Sequence, residues 1–177
     1  MLTKVVSGGQ TGVDRGALDA ALVAGFPCGG WCPPDREAED GPIAARYPLT
    51  PLPGEDIGEL RIQQSGASAA RTARQVAERY RARTLKNVQD SDGTVILCSG
   101  TLSGGTLLTQ KLCVREKKPL IVVDSKRMTA LRAADCVCRF VEETDIQVLN
   151  VAGPKLSGWP QGYAFSLRVI GEVIARA

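Results

Sequence analysis

Two glycine-rich stretches contain the residue types best suited to binding an anion. The first comprises Ser7, Gly8, Gly9, Gln10, Thr11 and Gly12, and the second comprises Gly104, Gly105 and Thr106. Glycine tolerates positive φ and lets the backbone come close to a ligand. Free N–H groups at a helix start favour phosphate, and the helix dipole adds to that preference. Either stretch alone is also typical of a plain tight turn. Two of them around one crevice predict a site for a phosphorylated or otherwise anionic ligand.

Further side chains are candidates for contacts with such a ligand. Asp14 either caps the first helix or bonds a ligand hydroxyl or amine. Arg15 and Arg83 each either reach a phosphate through two parallel hydrogen bonds or form exposed ion pairs. Trp31, in a Gly-Gly-Trp turn, either stacks on a flat ring or covers the core. Asn150 lies near the end of the last predicted strand and is expected at the same crevice.

The carboxylates outside the glycine-rich stretches have less defined roles. Glu39 and Asp40 lie in a polar, proline-rich stretch over 35–53 that is expected to be an ordered, functional loop. They could bind a metal or accept a hydrogen bond from a heterocycle. Asp90 and Asp92 precede the central strand and are interpreted as turn residues at its amino end. No catalytic residue and no metal ligand is assigned from the sequence.

Each glycine-rich stretch follows a predicted strand and opens a predicted helix. Residues 2–6 form an apolar, β-branched run, and the helical pattern after it begins near Asp14 and ends at Gly25. Residues 94–98 form a second buried run, and a helix through about Glu116 follows the second glycine-rich stretch. In open α/β sheets, anion sites form where a strand is followed by a glycine-rich turn and then by the start of a helix.

The remaining pattern extends this alternation along the chain. Brief strand character appears near 26–34, further strands are predicted at 120–123 and 147–151, and helices are predicted over about 56–88 (interrupted near 66–68), 128–140 and the C-terminal stretch around 167–174. Strands alternating with helices predict an α/β fold with a single doubly wound, mainly parallel sheet and helices on both faces. A length of 177 residues favours one domain over 1–177. Ligands of such sheets bind at the carboxyl ends of the strands, where the strand order reverses.

Composition excludes several classes of site. The chain has no histidine, which excludes Ser-His-Asp and Cys-His nucleophiles and histidine metal sites. Its six cysteines are expected to be reduced, and they are interpreted as core residues in preference to a four-thiolate site built from Cys28, Cys32, Cys136 and Cys138. A net charge of +3 and 5% aromatic residues give no reason to expect nucleic acid or a membrane as partner. With no apolar run of spanning length and no signal-peptide pattern, a cytoplasmic location is expected.

Several longer motifs follow one another along nearly the whole chain. They are Ser7-Gly8-Gly9-Gln10-Thr11-Gly12-x-Asp14-Arg15, Gly29-Gly30-Trp31-Cys32-Pro33, Ala38-Glu39-Asp40-Gly41-Pro42-Ile43, Arg46-Tyr47-Pro48-Leu49, Tyr80-x-x-Arg83-Thr84-x-x-Asn87-Val88-x-Asp90-Ser91-Asp92-Gly93-Thr94, Gly104-Gly105-Thr106 and Leu149-Asn150-Val151-Ala152-Gly153-Pro154. In this order they resemble the molybdenum (molybdenum-cofactor) carrier family. The resemblance implies a Rossmann-like fold and a role as carrier of the molybdenum cofactor (molybdopterin), a phosphorylated pterin.

The same resemblance implies kinship with lysine-decarboxylase-like proteins, which include nucleotide phosphoribohydrolases. Their motif P-G-G-x-G-T-x-x-E carries a glutamate that serves hydrolysis. Laid on Gly104 and Gly105, the glutamate position is Lys111 and the glycine of the G-T pair is Leu107. A lysine cannot act as that carboxylate, so the departure puts hydrolysis in doubt and leaves phosphate binding intact.

Three functions are therefore considered. The first is a cytoplasmic carrier that binds a phosphorylated pterin or nucleotide-like ligand, and the second is a nucleoside-phosphate hydrolase in which Glu39 or Asp40 supplies the carboxylate. The third is a ligand sensor that signals through a partner, supported only by an apparent insertion over about 56–78. A homodimer or higher homo-oligomer is expected, because related folds dimerise through helices beside the sheet.

Overall fold

The computed structural model describes residues 1–53 and 69–177, with side chains from 77 onward in the second range. Its strands are β1 Lys4–Val6, β2 Cys28–Gly29, β3 Trp31–Cys32, β4 Glu37–Ala38, β5 Gly41–Pro42, β6 Thr50–Pro51, β7 Gly93–Cys98, β8 Leu120–Asp124 and β9 Val148–Ala152. Its helices are α1 Val13–Val23, α2 Ala69–Gln89, α3 Gly104–Arg115, α4 Ala130–Glu143 and α5 Gly162–Ile174.

Five strands form one parallel sheet in the order β2-β1-β9-β7-β8. Helices α1, α4 and α5 bury apolar residues in the larger core cluster, and α2 and α3 pack together in a separate cluster around Val88, Leu112 and Cys113. The predicted doubly wound, parallel α/β fold is confirmed, and the strand and helix bounds differ from the predicted ones by a few residues.

The last strand in the chain lies at the centre of the sheet. β9 pairs with β1 on one side and with β7 on the other. The chain passes from β1 outward to β2, and from β7 outward in the opposite direction to β8. The order therefore reverses at β9, which occupies the place that the first strand takes in a doubly wound sheet of order 3-2-1-4-5.

The stretch 35–53 is more structured than the loop that the sequence predicts. β4 and β5 form an antiparallel hairpin with Glu39 and Asp40 at its tip, and β6 pairs with β3 as a small parallel sheet. These strands are two residues long, so no alternation of apolar and polar residues could reveal them. Gly41, at φ 105°, supplies the positive backbone angle after the tip.

Two predictions fall partly or wholly outside the described residues. The apparent insertion over 56–78 begins outside them, and only its last part, from Ala69, belongs to α2. The predicted break at 66–68 lies outside them altogether. Among the helices that the structure describes, none is long and apolar enough to cross a membrane.

Candidate functional site

A cavity of about 590 Å³ opens at the carboxyl ends of β1, β9 and β7, at the point where the strand order reverses. We call it the main cavity. Residues after all three strands and one face of α2 line it. Of the residues selected from the sequence, the lining includes Gly8, Gln10, Asp14, Arg83, Gly104, Gly105, Thr106 and Asn150. The fold thus brings the two glycine-rich stretches to one crevice.

Arg83 and Asp14 form an ion pair in the wall of the main cavity. Nη1 of Arg83 donates to Oδ2 of Asp14 at 3.1 Å, and the two side chains are only 13% and 8% exposed. Asp14 does not cap α1, whose N-cap residue is Gly12; its carboxylate accepts from the backbone N–H of Gln10 at 3.2 Å. Burial raises the pKa of Asp14, and the Arg83 cation and the Gln10 N–H oppose that rise.

The Nε atom of Arg83 is buried and has no hydrogen-bond partner among the residues that the structure describes. A buried guanidinium N–H without a partner is costly, so such groups are expected to be satisfied in the functional state. Because Arg83 lines the main cavity, an anion bound there could accept from Nε.

The start of α3 forms another part of the lining. Its N-cap residue, Ser103, has extended backbone, and no side chain in the described part of the chain caps the helix. Gly104 and Gly105 are exposed, and the first turn of α3 holds no acidic residue. Uncapped N–H groups with the positive end of the helix dipole are the usual partners of a phosphate.

Two glycines allow close contacts between segments at the ends of the central strands. Gly12 has φ 77°, and a Cβ there would lie 2.7 Å from the carbonyl oxygen of Pro154. A Cβ at Gly153 would lie 2.5 Å from the carbonyl oxygen of Leu97. Asn150, which is buried, donates from Nδ2 to Oγ1 of Thr94 at 3.1 Å and so ties β9 to β7. These contacts fix the spacing of the three strand ends.

Six of the selected residues lie outside the lining, namely Ser7, Gly9, Thr11, Gly12, Arg15 and Trp31. Oγ of Ser7 donates to the carbonyl oxygen of Val151 at 2.7 Å, so this buried hydroxyl joins β1 to β9. Trp31 donates from Nε1 to Oδ2 of Asp90 at 2.8 Å, with Lys86 over its ring. Both side chains therefore have structural contacts.

The sequence left two roles open for Arg15, a phosphate contact or an ion pair, and the structure shows the ion pair. It forms two hydrogen bonds with Asp40, at 2.6 and 2.8 Å, and its Nε donates to the carbonyl oxygen of Gly9 at 3.2 Å. The Arg15 guanidinium holds the pKa of Asp40 below its usual range. Arg15 lines a separate, shallower cavity of about 420 Å³, so Arg83 is the arginine of the main cavity.

Glu39 reaches from the β4–β5 hairpin to the rim of the main cavity. Its carboxylate accepts from Oγ1 of Thr11, from N–H and Oγ of Ser157 (3.1 and 2.6 Å) and from Nζ of Lys155 (3.0 Å). Burial acts to raise its pKa, but the bonds from Ser157, Thr11 and Lys155 outweigh burial and lower the pKa to about 2. Glu39 is therefore an anion at neutral pH.

The sequence analysis selected Arg83 as a ligand contact, but it did not select Tyr80, Thr84 and Asn87, which lie on the same face of α2. Tyr80, Arg83, Thr84 and Asn87 all line the main cavity. Their spacing of i, i+3, i+4 and i+7 places them on one face of a helix, and this was the available signal. Lys155, Trp159 and the turn after β7 also contribute to the lining, and they have no comparable pattern.

All six cysteines are free. Within the described ranges, no three cysteine, aspartate or glutamate side chains are placed to hold a metal ion, so the four-thiolate site is not formed there. Burial raises the pKa of the Cys98 thiol, which lines the main cavity as a small, uncharged group.

Comparisons with known proteins agree with this architecture. Residues 5–174 match the model of the circularly permutated YpsA SLOG family. The crystal structure of a "Putative molybdenum carrier protein" from Syntrophus aciditrophicus SB is 36% identical in sequence and superposes with a TM-score of 0.81, over 98% of this chain and 95% of that one. No protein of curated function matches the sequence. The central position of β9 fits a circular permutation, and the resemblance inferred from the motifs is confirmed. The chain belongs to the circularly permutated YpsA SLOG family.

Proposed function

We propose that the protein is a carrier that binds a small, phosphorylated, ring-containing ligand in the main cavity, with the molybdenum cofactor as the first candidate cargo. The observation that carries the proposal is Arg83, whose buried Nε lacks a partner in the described part of the chain and which lies in the same cavity as the uncapped start of α3. A guanidinium and helix N–H groups together form a phosphate site.

The rest of the cavity suits the non-phosphate part of such a ligand. A volume of about 590 Å³ lies in the range of small-molecule sites. Tyr80, Leu102, Leu108 and Trp159 add aromatic and aliphatic surface to the lining, against which a flat ring could pack. No metal-binding cluster exists within the described ranges. The protein would therefore hold the molybdenum cofactor through contacts with its pterin and its phosphate. The name of the 36% identical Syntrophus protein supports a carrier role.

The arrangement of carboxylates favours a carrier over a hydrolase. Asp14 and Glu39 are the carboxylates of the described lining. Asp14 is bonded to Arg83 and Gln10, and Glu39 accepts from four donors. Asp40, the other carboxylate considered, is paired with Arg15. Cleavage of an N-glycosidic bond needs a carboxylate free to act on the sugar or on water, by analogy with glycoside hydrolysis.

Mass spectrometry with metal analysis of the molecules released on denaturing the purified protein tests the proposal. We expect a phosphorylated heterocycle in near-stoichiometric amount, with molybdenum if the cargo is the molybdenum cofactor. A nucleotide without metal would remove the molybdenum assignment and leave the phosphate site. A stoichiometric ligand with no phosphate would contradict the proposal.

A second assay separates the carrier from the hydrolase. The protein is incubated with nucleoside monophosphates, and free base is measured by liquid chromatography. A carrier releases no more base than a buffer control, whereas multiple turnovers would contradict the carrier role.

The sensor hypothesis and the homo-oligomer remain predictions. The first is testable by deleting residues 56–78 in a partner pull-down, and the second by light scattering of the purified protein.

A further inference from the structure

The tip of the β4–β5 hairpin places a carboxylate among donors that would equally well bind a phosphate. Glu39 accepts from two hydroxyls, one backbone N–H and one ammonium group, belonging to Thr11, Ser157 and Lys155. Hydroxyls, backbone N–H groups and lysine are the donors that bind phosphates in proteins. The side chain of Glu39 is 19% exposed, whereas Lys155 is 53% exposed and Ser157 is also exposed, so an anion from solvent can reach these donors.

These donors come from the two segments that the sheet centre brings together. Thr11 lies in the turn after β1, and Lys155 and Ser157 lie in the loop after β9. The backbone N–H of Leu156 donates to Oγ1 of Thr11 at 3.1 Å, which holds the two segments in register without Glu39. The donor set is therefore part of the framework, whereas Glu39 is brought to it by the hairpin.

Few other contacts hold the hairpin tip in place. The backbone N–H of Glu39 donates to Oε1 of Gln10 at 3.0 Å, and Asp40 pairs with Arg15. Asp40 is half exposed, so solvent screens part of this two-bonded ion pair. Loss of the Glu39 carboxylate contacts would therefore leave the tip held mainly by Asp40 and by the backbone N–H of Glu39.

We propose that Thr11, Lys155 and Ser157 form a second anion subsite at the rim of the main cavity, which Lys155 and Glu39 line, that Glu39 occupies this subsite when no ligand is bound, and that an anionic group of the ligand displaces Glu39 and releases the hairpin. The inference rests on the proposed function and narrows the class of ligand that the protein would carry. Because Lys155 and Arg83 line the same cavity, the ligand class is one with two anionic groups, such as a diphosphate. The hairpin thus acts as a gate that the contacts of the Glu39 carboxylate hold closed when no ligand is bound.

Titration calorimetry with inorganic pyrophosphate tests this competition. Glu39→Ala removes the competing anion, so it should bind pyrophosphate at least about tenfold more tightly than the wild type. Glu37→Ala, which removes a charge from exposed β4 of the same hairpin, is the matched control and should bind as the wild type does. Adding Lys155→Ala to Glu39→Ala should abolish the gain.

Hydrogen exchange of the unsubstituted protein provides a test that needs no variant. Pyrophosphate should speed amide exchange over residues 37–42, because the hairpin tip loses its anchor. Unchanged or slower exchange there, or Glu39→Ala binding no tighter than the wild type, would overturn the gate. If pyrophosphate still binds in an Arg83-dependent way, the proposed function survives that failure. If no protein in the series binds pyrophosphate, both fail together.

Discussion

Arg83 lies so close to Gly8 that position 8 has no room for a side chain. A Cβ on residue 8 would overlap Nη1 of Arg83 and lie 2.9 Å from its Cδ. The absence of a side chain at Gly8 thus lets a guanidinium from α2 reach the carboxyl end of β1, where it pairs with Asp14. Gly8 belongs to the site by making room for the cation.

Gly8→Ala should therefore damage the site more than the fold. The arginine is flexible and can swing away, which leaves Asp14 without its cation, and we expect a loss of about 1–3 kcal/mol in the free energy of unfolding. Pyrophosphate affinity should fall at least about tenfold. Gly171→Ala, where a Cβ meets nothing within 4 Å, is the control and should unfold no more easily than the wild type. Retained affinity in a folded Gly8→Ala protein would count against this role.

Gly105→Asp should weaken ligand binding without lowering the stability of the protein. A side chain at 105 has open space, and a carboxylate in the first turn of α3 interacts favourably with the helix dipole by about 0.3–1 kcal/mol. The same carboxylate would repel a phosphate at this helix start, so pyrophosphate binding should weaken. Gly105→Asn, of similar shape and no charge, is the comparison for both measurements. Equal pyrophosphate affinities in the two variants would show that no anion approaches α3.

The Glu39 contacts should stabilise the protein in a pH-dependent way. Its folded-state pKa of about 2 lies below the ordinary value of 4.5. Its contribution is therefore complete above about pH 4.5 and is lost as the pH falls toward 2. Urea unfolding of the wild type and Glu39→Gln should show a difference in the free energy of unfolding that is largest near pH 7 and shrinks below pH 4.5. A difference that grows on acidification would be inconsistent with these contacts.

Asn87 should stabilise the β3 region through the backbone of Trp31. Its Oδ1 accepts from the Trp31 N–H at 2.8 Å, and its Nδ2 donates to the Trp31 carbonyl oxygen at 3.0 Å. Asn87→Leu leaves both backbone groups without these partners, and we expect a loss of about 1–3 kcal/mol in the free energy of unfolding. Gln89→Leu, at an exposed position on the same helix, should change it by no more than about 0.5 kcal/mol. Similar losses in the two variants would remove this role from Asn87.

The features predicted correctly from the sequence are those with local signals. The strand at Lys4–Val6, its glycine-rich turn and α1 are contiguous, as are β7 and α3, so apolar runs and glycines suffice to locate them. The central place of β9 has no such signal, because pairing with β1 brings together residues far apart in the chain. Periodicity along one segment cannot report its neighbours in a sheet.

The same distinction applies to the site. The position of both glycine-rich turns at one crevice follows from the general rule for parallel sheets. No such rule predicts that Arg15 pairs with Asp40 while Arg83 lines the main cavity. Arg15 meets Asp40 only because the short β4–β5 hairpin folds back, and Arg83 meets Gly8 only because α2 docks against β3 and α3. Both contacts depend on how distant elements dock.

The most direct test of the phosphate site is the pyrophosphate affinity of Arg83→Lys, measured by titration calorimetry. Lysine keeps the positive charge but lacks Nε–H and the forked geometry of arginine, so the substitution isolates the hydrogen bonds that the buried guanidinium would give an anion. We predict an affinity at least about tenfold lower than that of the wild type, since hydrogen bonds to charged groups contribute about 1.5–3 kcal/mol. Arg81→Lys, at an exposed position on the same helix, should bind as the wild type does. Equal affinities of Arg83→Lys and the wild type, or a wild type that binds no pyrophosphate, would contradict the account.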